Sequence, residues 1–454
     1  MKTKGERLLK ITLFFCLLNA GVNAQDSIQS LNLNDCIRIG LNQSAQILRS
    51  EDSLQMTGAT LLGAYGQFLP DLNFNSNYGY LSGNNLLTAT APTLVNSRLS
   101  QMNYQLSSSI NIFNGFSDYS ELKAATLSVS AAQFNLDRAK QQITYDITQT
   151  YFQVLLDRRI VEYAMENLNA STKREAQLQE LTTVGRNAVS DLYQQQAETS
   201  SDKLFLIQSQ DKLKNDVILL LRKIKISQTD KYAISDMTLD SLPFKPEYRN
   251  VQYLIDSAMQ QRPDLKSATT TIKIAEWKIK SLESGYLPKL SLEGGMISNG
   301  GYFNQLYVNG SNELGAQEPE GKALFGQIYG EVLLNFSWNL FDRMYTKTNV
   351  SIAKLNHQNA EIHYDDLTVQ ISSEIKQAYN DYLAALQQIE TANRGLLAAG
   401  QAFNVVEGKY NVGQATFVEL STAQVVLLQA QVSKAQSDVN LALQKKIIEF
   451  YMGN

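Results

Sequence analysis

The chain has 454 residues, a formal net charge of −4 at pH 7, two cysteines and two histidines. A mildly acidic chain without a basic block argues against nucleic-acid binding, and no phosphate loop, zinc spacing or nucleophile arrangement suggests an enzyme or a cofactor site. After residue 24 no stretch of about 18 apolar residues occurs, which excludes a transmembrane helix but leaves transmembrane β-strands open, since their alternation gives only a weak hydropathy signal.

Residues 1–24 are predicted to be a signal peptide. A basic start precedes the short apolar run Ile11–Leu18, and the small side chains of Val22-Asn23-Ala24 offer a cleavage site. Cys16 lies in this apolar run in a poor context for lipid attachment. After cleavage only Cys36 remains, so no disulfide within one chain is expected.

The remaining chain is predicted to be an internal duplication. Ile147-Thr-Gln-Thr-Tyr151 matches Ile375-Lys-Gln-Ala-Tyr379, and Val184-Gly185 matches Val412-Gly413 at the same spacing. We therefore predict a first repeat over residues 25–226, a connector over residues 227–248 and a second repeat over residues 249–454. Each repeat is predicted to contain a helix, two β-strands, a long helix, a hairpin turn and a returning helix.

The long helix of the first repeat is indicated by the absence of proline and glycine between Phe116 and Val184. An unbroken helix over this run would be about 100 Å long and would need sustained packing against neighbouring helices. Apolar residues alternate by three and four along both long helices, as in a heptad seam. The seam positions are Leu122, Ala125, Val129, Ala132, Leu136, Ala139 and Ile143, then Ile371, Ile375, Ala378, Tyr382, Ala385 and Ile389.

Two segments in each repeat alternate between apolar and polar residues, around positions 72–78, 103–112, 290–296 and 328–340. One interpretation is an antiparallel sheet with one face on a core and the other in water. The other is a membrane barrel with lipid outside and water inside, which the aromatic residues near the segment ends favour. The second interpretation assigns these residues to the lipid face: Leu106, Ile110, Leu292, Val332, Leu334, Phe336 and Trp338.

Four strands cannot close a barrel, and open strand edges cannot lie in lipid. Two chains would give a barrel of about eight strands, whose interior side chains fill, whereas three would give about twelve and leave a conduit. The sequence therefore predicts a homotrimer. A loop rich in glycine and asparagine is also predicted around residues 298–326, where the second repeat is longer than the first.

Both long helices are predicted to end in a tight turn, at Val184-Gly185 and at Val412-Gly413, because glycine suits a left-handed helix cap. Thr416 and Glu419 have the spacing of a capping box. Glu419 and Asp191 have two interpretations, which can both hold: acids that stabilise a helix start, or an acidic ring at the mouth of a duct.

The whole mature chain resembles the TolC-like outer-membrane efflux family. The resemblance rests on paired Leu-Pro-x-Leu segments, on Ile112-Phe-Asn-Gly115 with Leu340-Phe-Asp-Arg343, and on Tyr410-x-x-Gly413 before Glu419-Leu420. It implies an α+β fold in which three chains form a 12-stranded β-barrel in outer-membrane lipid and an α-helical coiled-coil duct in the periplasm. It also implies two partners, a periplasmic adaptor (membrane fusion) protein and an inner-membrane pump, and no cofactor.

The resemblance further implies an aperture at the hairpin turns, held closed by polar links. Ser190, Asp191, Tyr410 and Glu419 occupy matching positions in this sequence. The family's arginine is replaced by Ala415 and a second family acid by Thr422, so Arg186 on the other hairpin is the candidate substitute. The tips themselves, at Val184, Gly185, Val412 and Gly413, are expected to contact the adaptor.

The predicted function is a passive exit duct for small molecules driven by a separate pump, and the chain is predicted not to be an enzyme. One alternative is the outer-membrane duct of a type I protein secretion system, which the sequence does not separate from the first. An alternative of another class is a periplasmic coiled-coil adaptor or structural protein. Two hairpins and four alternating segments favour the outer-membrane duct over that last alternative.

Overall fold

The structure, a computed structural model, describes residues 29–87, 93–227, 232–235, 250–308, 311–312 and 314–453. The predicted signal peptide and most of the predicted connector lie outside these residues. The chain divides into two compact units, unit 1 with residues 29–48, 139–260 and 372–453, and unit 2 with residues 49–138 and 261–371. Each unit takes segments from both predicted repeats, whose boundaries stay a prediction.

Long helices account for most of the chain. The helices are α1 (Leu33–Gln43), α2 (Ala45–Gly66), α3 (Ser117–Thr183), α4 (Val189–Lys223), α5 (Val251–Gln261), α6 (Pro263–Glu283), α7 (Glu320–Phe325), α8 (Tyr345–Asn411) and α9 (Phe417–Tyr451). The strands are β1 (Gln29–Leu31), β2 (Asn73–Leu87), β3 (Thr93–Asn114), β4 (Tyr232–Ile234), β5 (Lys289–Val308), β6 (Ser311–Asn312) and β7 (Ile328–Ser337). Among the described residues, no helix is both long enough and apolar enough to cross a membrane.

The helix lengths reflect the internal similarity of the sequence. Helices α3 and α8 have 67 residues each, and the returning helices α4 and α9 have 35 each. Helix α8 continues through three glycines without a break. The predicted α+β class, with very long helices and four long strands, is confirmed.

The predicted seam is confirmed by burial. Ala125, Ala132 and Leu136 are buried along α3, and Ile371, Tyr382 and Ala385 are buried along α8. Small alanine side chains at these positions allow neighbouring helices to approach closely, so the long helices are stabilised by packing along their length.

The core of unit 1 packs α1, α3, α4 and α9 around a small parallel sheet that the sequence analysis did not predict. In that sheet β1 pairs with β4 from Gln29↔Tyr232 to Leu31↔Ile234. Tyr151 of α3 is fully buried beneath it, and its hydroxyl donates a hydrogen bond to the Ser235 carbonyl at 2.9 Å. Cys36 is also fully buried, and burial raises the pKa of its thiol to about 12.

Unit 2 contains an antiparallel sheet in the order β2–β3–β5–β7, with β6 pairing the far end of β5. Its strands are longer than predicted: β3 has 22 residues and β5 has 20. The loop predicted to begin near Ser298 is therefore wrong in its first part, because β5 continues to Val308 by pairing with β3. Glycines at 300 and 301 suggested a loop, but ladder hydrogen bonds to β3 hold them extended.

Helix α7 lies across this sheet. Leu324 of α7 is buried, and the Phe325 carbonyl accepts a hydrogen bond from the Tyr104 hydroxyl of β3 at 2.8 Å. A Cβ atom on Gly300 would lie 2.0 Å from the Leu324 carbonyl oxygen. The glycine at position 300 is therefore required by the close approach of a helix and not by a turn.

A left-handed turn joins each sheet half to the following long helix. Gly115 and Phe116 have φ angles of 59° and 65°, and Arg343 and Met344 at the equivalent place have 57° and 68°. Gly115 is also crowded, because a Cβ atom there would lie 2.7 Å from the Ser284 carbonyl oxygen.

We predict that Gly115→Ala destabilises the protein more than Gly185→Ala. Both changes force alanine into a left-handed conformation, which costs about 1 kcal/mol. At Gly185 nothing lies within 4 Å of the added Cβ, whereas at Gly115 the added atom meets backbone and should cost about 1–3 kcal/mol more. Apparent melting temperatures of the two purified variants measure the difference, and equal temperatures would contradict the close packing at Gly115.

Candidate functional site

The two helix hairpins of unit 1 turn in the same way. Gly185 and Gly413 have φ angles of 74° and 75°. The Arg186 amide donates to the Leu181 carbonyl at 2.9 Å, and the Gln414 amide donates to the Lys409 carbonyl at 2.8 Å. This pattern is the Schellman cap, which satisfies carbonyls at a helix end, and the predicted left-handed glycine caps are therefore confirmed.

The tips of the two hairpins pack against each other through apolar side chains. Leu178 of α3, Leu192 of α4 and Phe417 of α9 form a buried cluster, and Tyr410 of α8 packs against it. The rings of Tyr410 and Phe417 lie 6.5 Å apart at 67°, an edge-to-face contact. All four long helices contribute to this group, which we call the tip cluster.

The acidic residues that the sequence singled out lie in the first turns of the returning helices. Glu419 completes the predicted capping box, because it accepts hydrogen bonds from the Thr416 amide and hydroxyl at 2.7 and 2.9 Å. These bonds lower the pKa of its carboxyl. Asp191 has a partly exposed side chain in the first turn of α4, where Ser190 donates to it at 3.3 Å.

Tyr410 brings polar groups of both hairpins together. Burial, and then the nearby Asp191 carboxylate, raise the pKa of the Tyr410 phenol, while Arg174 and a hydrogen bond with Asn187 act in the opposite direction. The phenol is therefore protonated at neutral pH and can donate a hydrogen bond. The structure thus brings the predicted residues Tyr410 and Asp191 into one electrostatic group.

Two of the predicted aperture residues, Arg186 and Glu419, do not belong to the electrostatic group of Tyr410 and Asp191 within one chain. Arg186 is exposed at the turn beside Gly185, and Glu419 is engaged by its own cap. The basic residue that acts on Tyr410 is Arg174 of α3, which the sequence analysis did not single out. The only feature of the sequence that could have indicated Arg174 is its closeness to the turn. It lies ten residues before Val184, which is about 15 Å along a helix.

The residues predicted to contact the adaptor are solvent-exposed. Val184 and Val412 have relative exposures of 67% and 69% in the described chain. Apolar side chains exposed beside a tight turn are suited to contact another protein, but the adaptor itself stays a prediction.

The sheet register places six of the predicted lipid-face residues on one face. Pairing aligns Ile110 with Leu292 and Leu292 with Leu334, and it aligns Leu106 with Met296. Val332 and Phe336 share the strand face of Leu334 by alternation, whereas Trp338 lies just beyond β7 and donates its indole N–H to the Tyr286 carbonyl at 3.1 Å. Contact of these residues with lipid stays a prediction.

The opposite face of the sheet is polar. It is formed mainly by asparagine, serine and glutamine, and Asn335 of β7 donates to the Glu293 carboxylate of β5 at 3.4 Å. Across the described ranges, no group of three or more histidine, cysteine, aspartate or glutamate residues is arranged to hold a metal ion. The geometry offers two surfaces, one apolar and one polar, and a contact between hairpins.

Comparisons with known proteins agree with this arrangement. Residues 254–454 match the protein family described as OEP, outer membrane efflux protein. The chain is 25% identical over 384 residues to the outer membrane protein TolC of Vibrio cholerae serotype O1, covering 83% of this chain and 80% of that protein. The predicted resemblance to the TolC-like outer-membrane efflux family is confirmed.

Further relatives of this TolC-like chain support the same conclusion. It is 22% identical over 396 residues to TolC of Escherichia coli K12, covering 86% of this chain and 76% of that protein. Its fold is similar to the crystal structure of the outer membrane protein VceC from Vibrio cholerae, with a TM-score of 0.78, 17% identity, and coverage of 93% of this chain and 96% of that chain.

These findings confirm the coarser prediction that the TolC-like chain resembles outer membrane efflux proteins, with an outer-membrane location. They also confirm that it is not an enzyme, because the relatives are channel proteins. The alternative of a periplasmic adaptor or structural protein does not agree with this location.

Proposed function

We propose that three copies of the chain assemble into the outer-membrane exit duct of a tripartite efflux system. The observation that carries the proposal is the sheet of unit 2, which has one apolar face, one polar face and two edges. Within the described residues β2 pairs with β3 alone and β7 pairs with β5 alone, so both edges have unused hydrogen-bonding groups. Strand edges that lie in a membrane must be hydrogen-bonded to another strand. Three copies, each with four strands, would pair every edge with the edge of a neighbouring copy and close one ring.

In the proposed trimer the apolar face contacts outer-membrane lipid and the polar face lines a water-filled passage. Small molecules cross it passively, because an inner-membrane pump supplies the energy and a periplasmic adaptor joins the pump to the duct. The exposed valines of the hairpin tips, with Gly185 and Gly413, form the proposed adaptor contact. A secreted protein is the alternative cargo, and the same duct geometry serves it.

The polar residues around the tip cluster form the proposed aperture. Tyr410 and Asp191 belong to different hairpins, and the Asp191 carboxylate is close enough to raise the pKa of the Tyr410 phenol. A hydrogen bond from the phenol to this carboxylate is the proposed link that holds the hairpins together in the closed state. Ser190 and Glu419 contribute polar and acidic groups around it, and the exposed Arg186 is the proposed substitute for the family's arginine. Exposed polar links contribute only about 1 kcal/mol each, which is weak enough for a partner to break and is multiplied by three-fold symmetry.

The proposal predicts that Tyr410→Phe combined with Asp191→Ala raises the ion conductance of the trimer in planar bilayers. The ring at position 410 then has no hydroxyl to donate a hydrogen bond, and the carboxylate at position 191 is absent. The apolar packing of the tip cluster remains. If Asp191 only stabilises its own helix, the expected result is different. Its loss would then weaken the start of α4 by less than about 1 kcal/mol and leave the ion conductance unchanged.

Assembly must be verified in the same sample, for example by the heat-dependent mobility of the trimer on a gel. The matched control is Tyr193→Phe, which makes the same chemical change at an exposed tyrosine. Tyr193 lies two residues after Asp191 in α4 and is not part of the tip cluster. A correctly assembled double variant with wild-type conductance would reject the aperture assignment.

A further inference from the structure

A buried group of polar side chains lies between three helices of unit 1, further from the hairpin turns than the tip cluster. Ser171 of α3 and Gln195 of α4 are fully buried, and Gln424 of α9 is 5% exposed. Polar side chains this deeply buried in a helix interface normally require hydrogen-bond partners, because an unpaired buried polar atom costs free energy.

Gln424 connects its helix to α3 at several points. Its amide oxygen accepts a hydrogen bond from the Arg174 guanidinium, and its amide nitrogen donates to Asn167 Oδ1 at 2.7 Å and to Ser171 Oγ at 3.4 Å. Gln424 therefore joins the returning helix of the second hairpin to the long helix of the first.

The same group continues into α4. The Ser171 hydroxyl donates to the Asp202 carboxylate, and Gln195 Nε2 donates to the Ser171 carbonyl at 3.4 Å. Glu198 lies beside Ser421 of α9, and burial raises the pKa of both Glu198 and Asp202 while Arg174 lowers them. Arg174 is thus close enough to favour the ionised form of both carboxylates.

The hydrogen bonding of this group is incomplete. In the part of the chain that the structure describes, Gln195 Oε1 and Glu198 Oε2 are buried without a hydrogen-bond partner. A partly satisfied buried polar network is less stabilising than well-packed apolar side chains at the same positions. The network therefore does not maximise stability, a property that a contact which forms and separates would have.

Arg174 also connects the network to the aperture, because the same guanidinium acts on the Tyr410 phenol. We propose that Arg174 and Gln424 form a second closing link, which positions the hairpins above the tip cluster and must break when the aperture opens. This inference rests on the proposed aperture function and gives Arg174 a basic role in addition to the one proposed for Arg186. Arg174 and Gln424 are positioning residues, since they act through the hairpin contact and not on a transported molecule.

The test compares Arg174→Met, Gln424→Leu and their combination by single-trimer conductance in planar bilayers. Methionine keeps much of the aliphatic stem of arginine, and leucine approximates the volume of glutamine without its amide. Loss of one such link should shift the ratio of closed to open trimers by about fivefold towards the open state. Both changes remove the bond between Arg174 and Gln424, and Gln424→Leu also removes the donors to Asn167 and Ser171. The rise in conductance of the double variant should therefore be smaller than the sum of the two single effects.

The internal duplication supplies a matched control. Gln196 of α4 has the position in the first hairpin that Gln424 has in the second, and it is only partly buried. Gln196→Leu is the same chemical change on the other hairpin. Arg174 donates its hydrogen bond to Gln424 and not to Gln196, so this variant should leave conductance unchanged. If Arg174→Met does not assemble, Gln424→Leu against Gln196→Leu carries the test alone.

The outcomes separate this inference from the proposed function. If Tyr410→Phe with Asp191→Ala raises conductance while assembled Arg174→Met and Gln424→Leu do not, the second link is overturned and the aperture stands. Additive effects in the double variant, or an equal rise in Gln196→Leu, would also overturn it. If conductance stays flat in every assembled variant, the aperture assignment fails and the second link fails with it.

Discussion

Leu334→Arg should prevent normal assembly in the outer membrane, whereas Asn335→Arg should be tolerated. The two positions are neighbours in β7, and strand alternation directs them to opposite faces of the sheet. Leu334 pairs with Leu292 on the apolar face, so an arginine there would lie in lipid and cost about 2–4 kcal/mol near the bilayer midplane.

The same arginine at position 335 would lie on the polar face near an acid. Asn335 already contacts the Glu293 carboxylate, and Glu331 lies on the same face of β7. Guanidinium and carboxylate groups stabilise each other, so this substitution exchanges a weak hydrogen bond for an ion pair beside water. The amount of heat-modifiable trimer in outer-membrane fractions measures both effects, and equal losses at the two positions would reject the register.

Tyr151→Ala should strongly destabilise unit 1. The ring is fully buried in the core around the β1–β4 sheet, and removing a large buried aromatic side chain typically costs about 3–5 kcal/mol. It would also leave the Ser235 carbonyl without the hydroxyl that donates to it.

Tyr151→Phe separates packing from hydrogen bonding. Phenylalanine fills nearly the same volume and removes only the donor, so its cost should be about 1 kcal/mol. Thermal or denaturant unfolding of the purified protein should therefore rank the alanine variant well below the phenylalanine variant, and the phenylalanine variant slightly below wild type. Similar losses for both variants would show that the hydroxyl, and not the ring, stabilises this part of unit 1.

The helices and the sheet faces could be predicted because they follow local periodicity. Alanine and larger apolar residues at three- and four-residue spacing determine which side of α3 is buried, and two-residue alternation determines the faces of β7. Strand ends were less predictable, since Gly300 and Gly301 look like a loop in sequence but are held extended by pairing with β3. The β1–β4 pair was missed because a three-residue strand carries no periodic signal and its partner is distant in the chain.

The site was predictable only in part, for a related reason. Turn glycines and cap residues act on their own neighbours in sequence, so Gly185, Gly413 and the Thr416–Glu419 box were visible. The association of Tyr410 with Arg174, or of Arg174 with Gln424, joins residues more than two hundred positions apart through packing. An arginine in a long helix otherwise looks like an ordinary solvated charge.

The two hairpins differ in how their returning helices begin. Helix α9 is preceded by Thr416, which forms a capping box, whereas α4 is preceded by Ala188, which provides no side-chain hydrogen bond to the helix start. A good cap contributes about 1 kcal/mol, so the first turn of α4 opens locally more often than the first turn of α9. The two hairpins are therefore unequal in local stability: the returning helix of the first frays more readily at its start, and that of the second stays ordered.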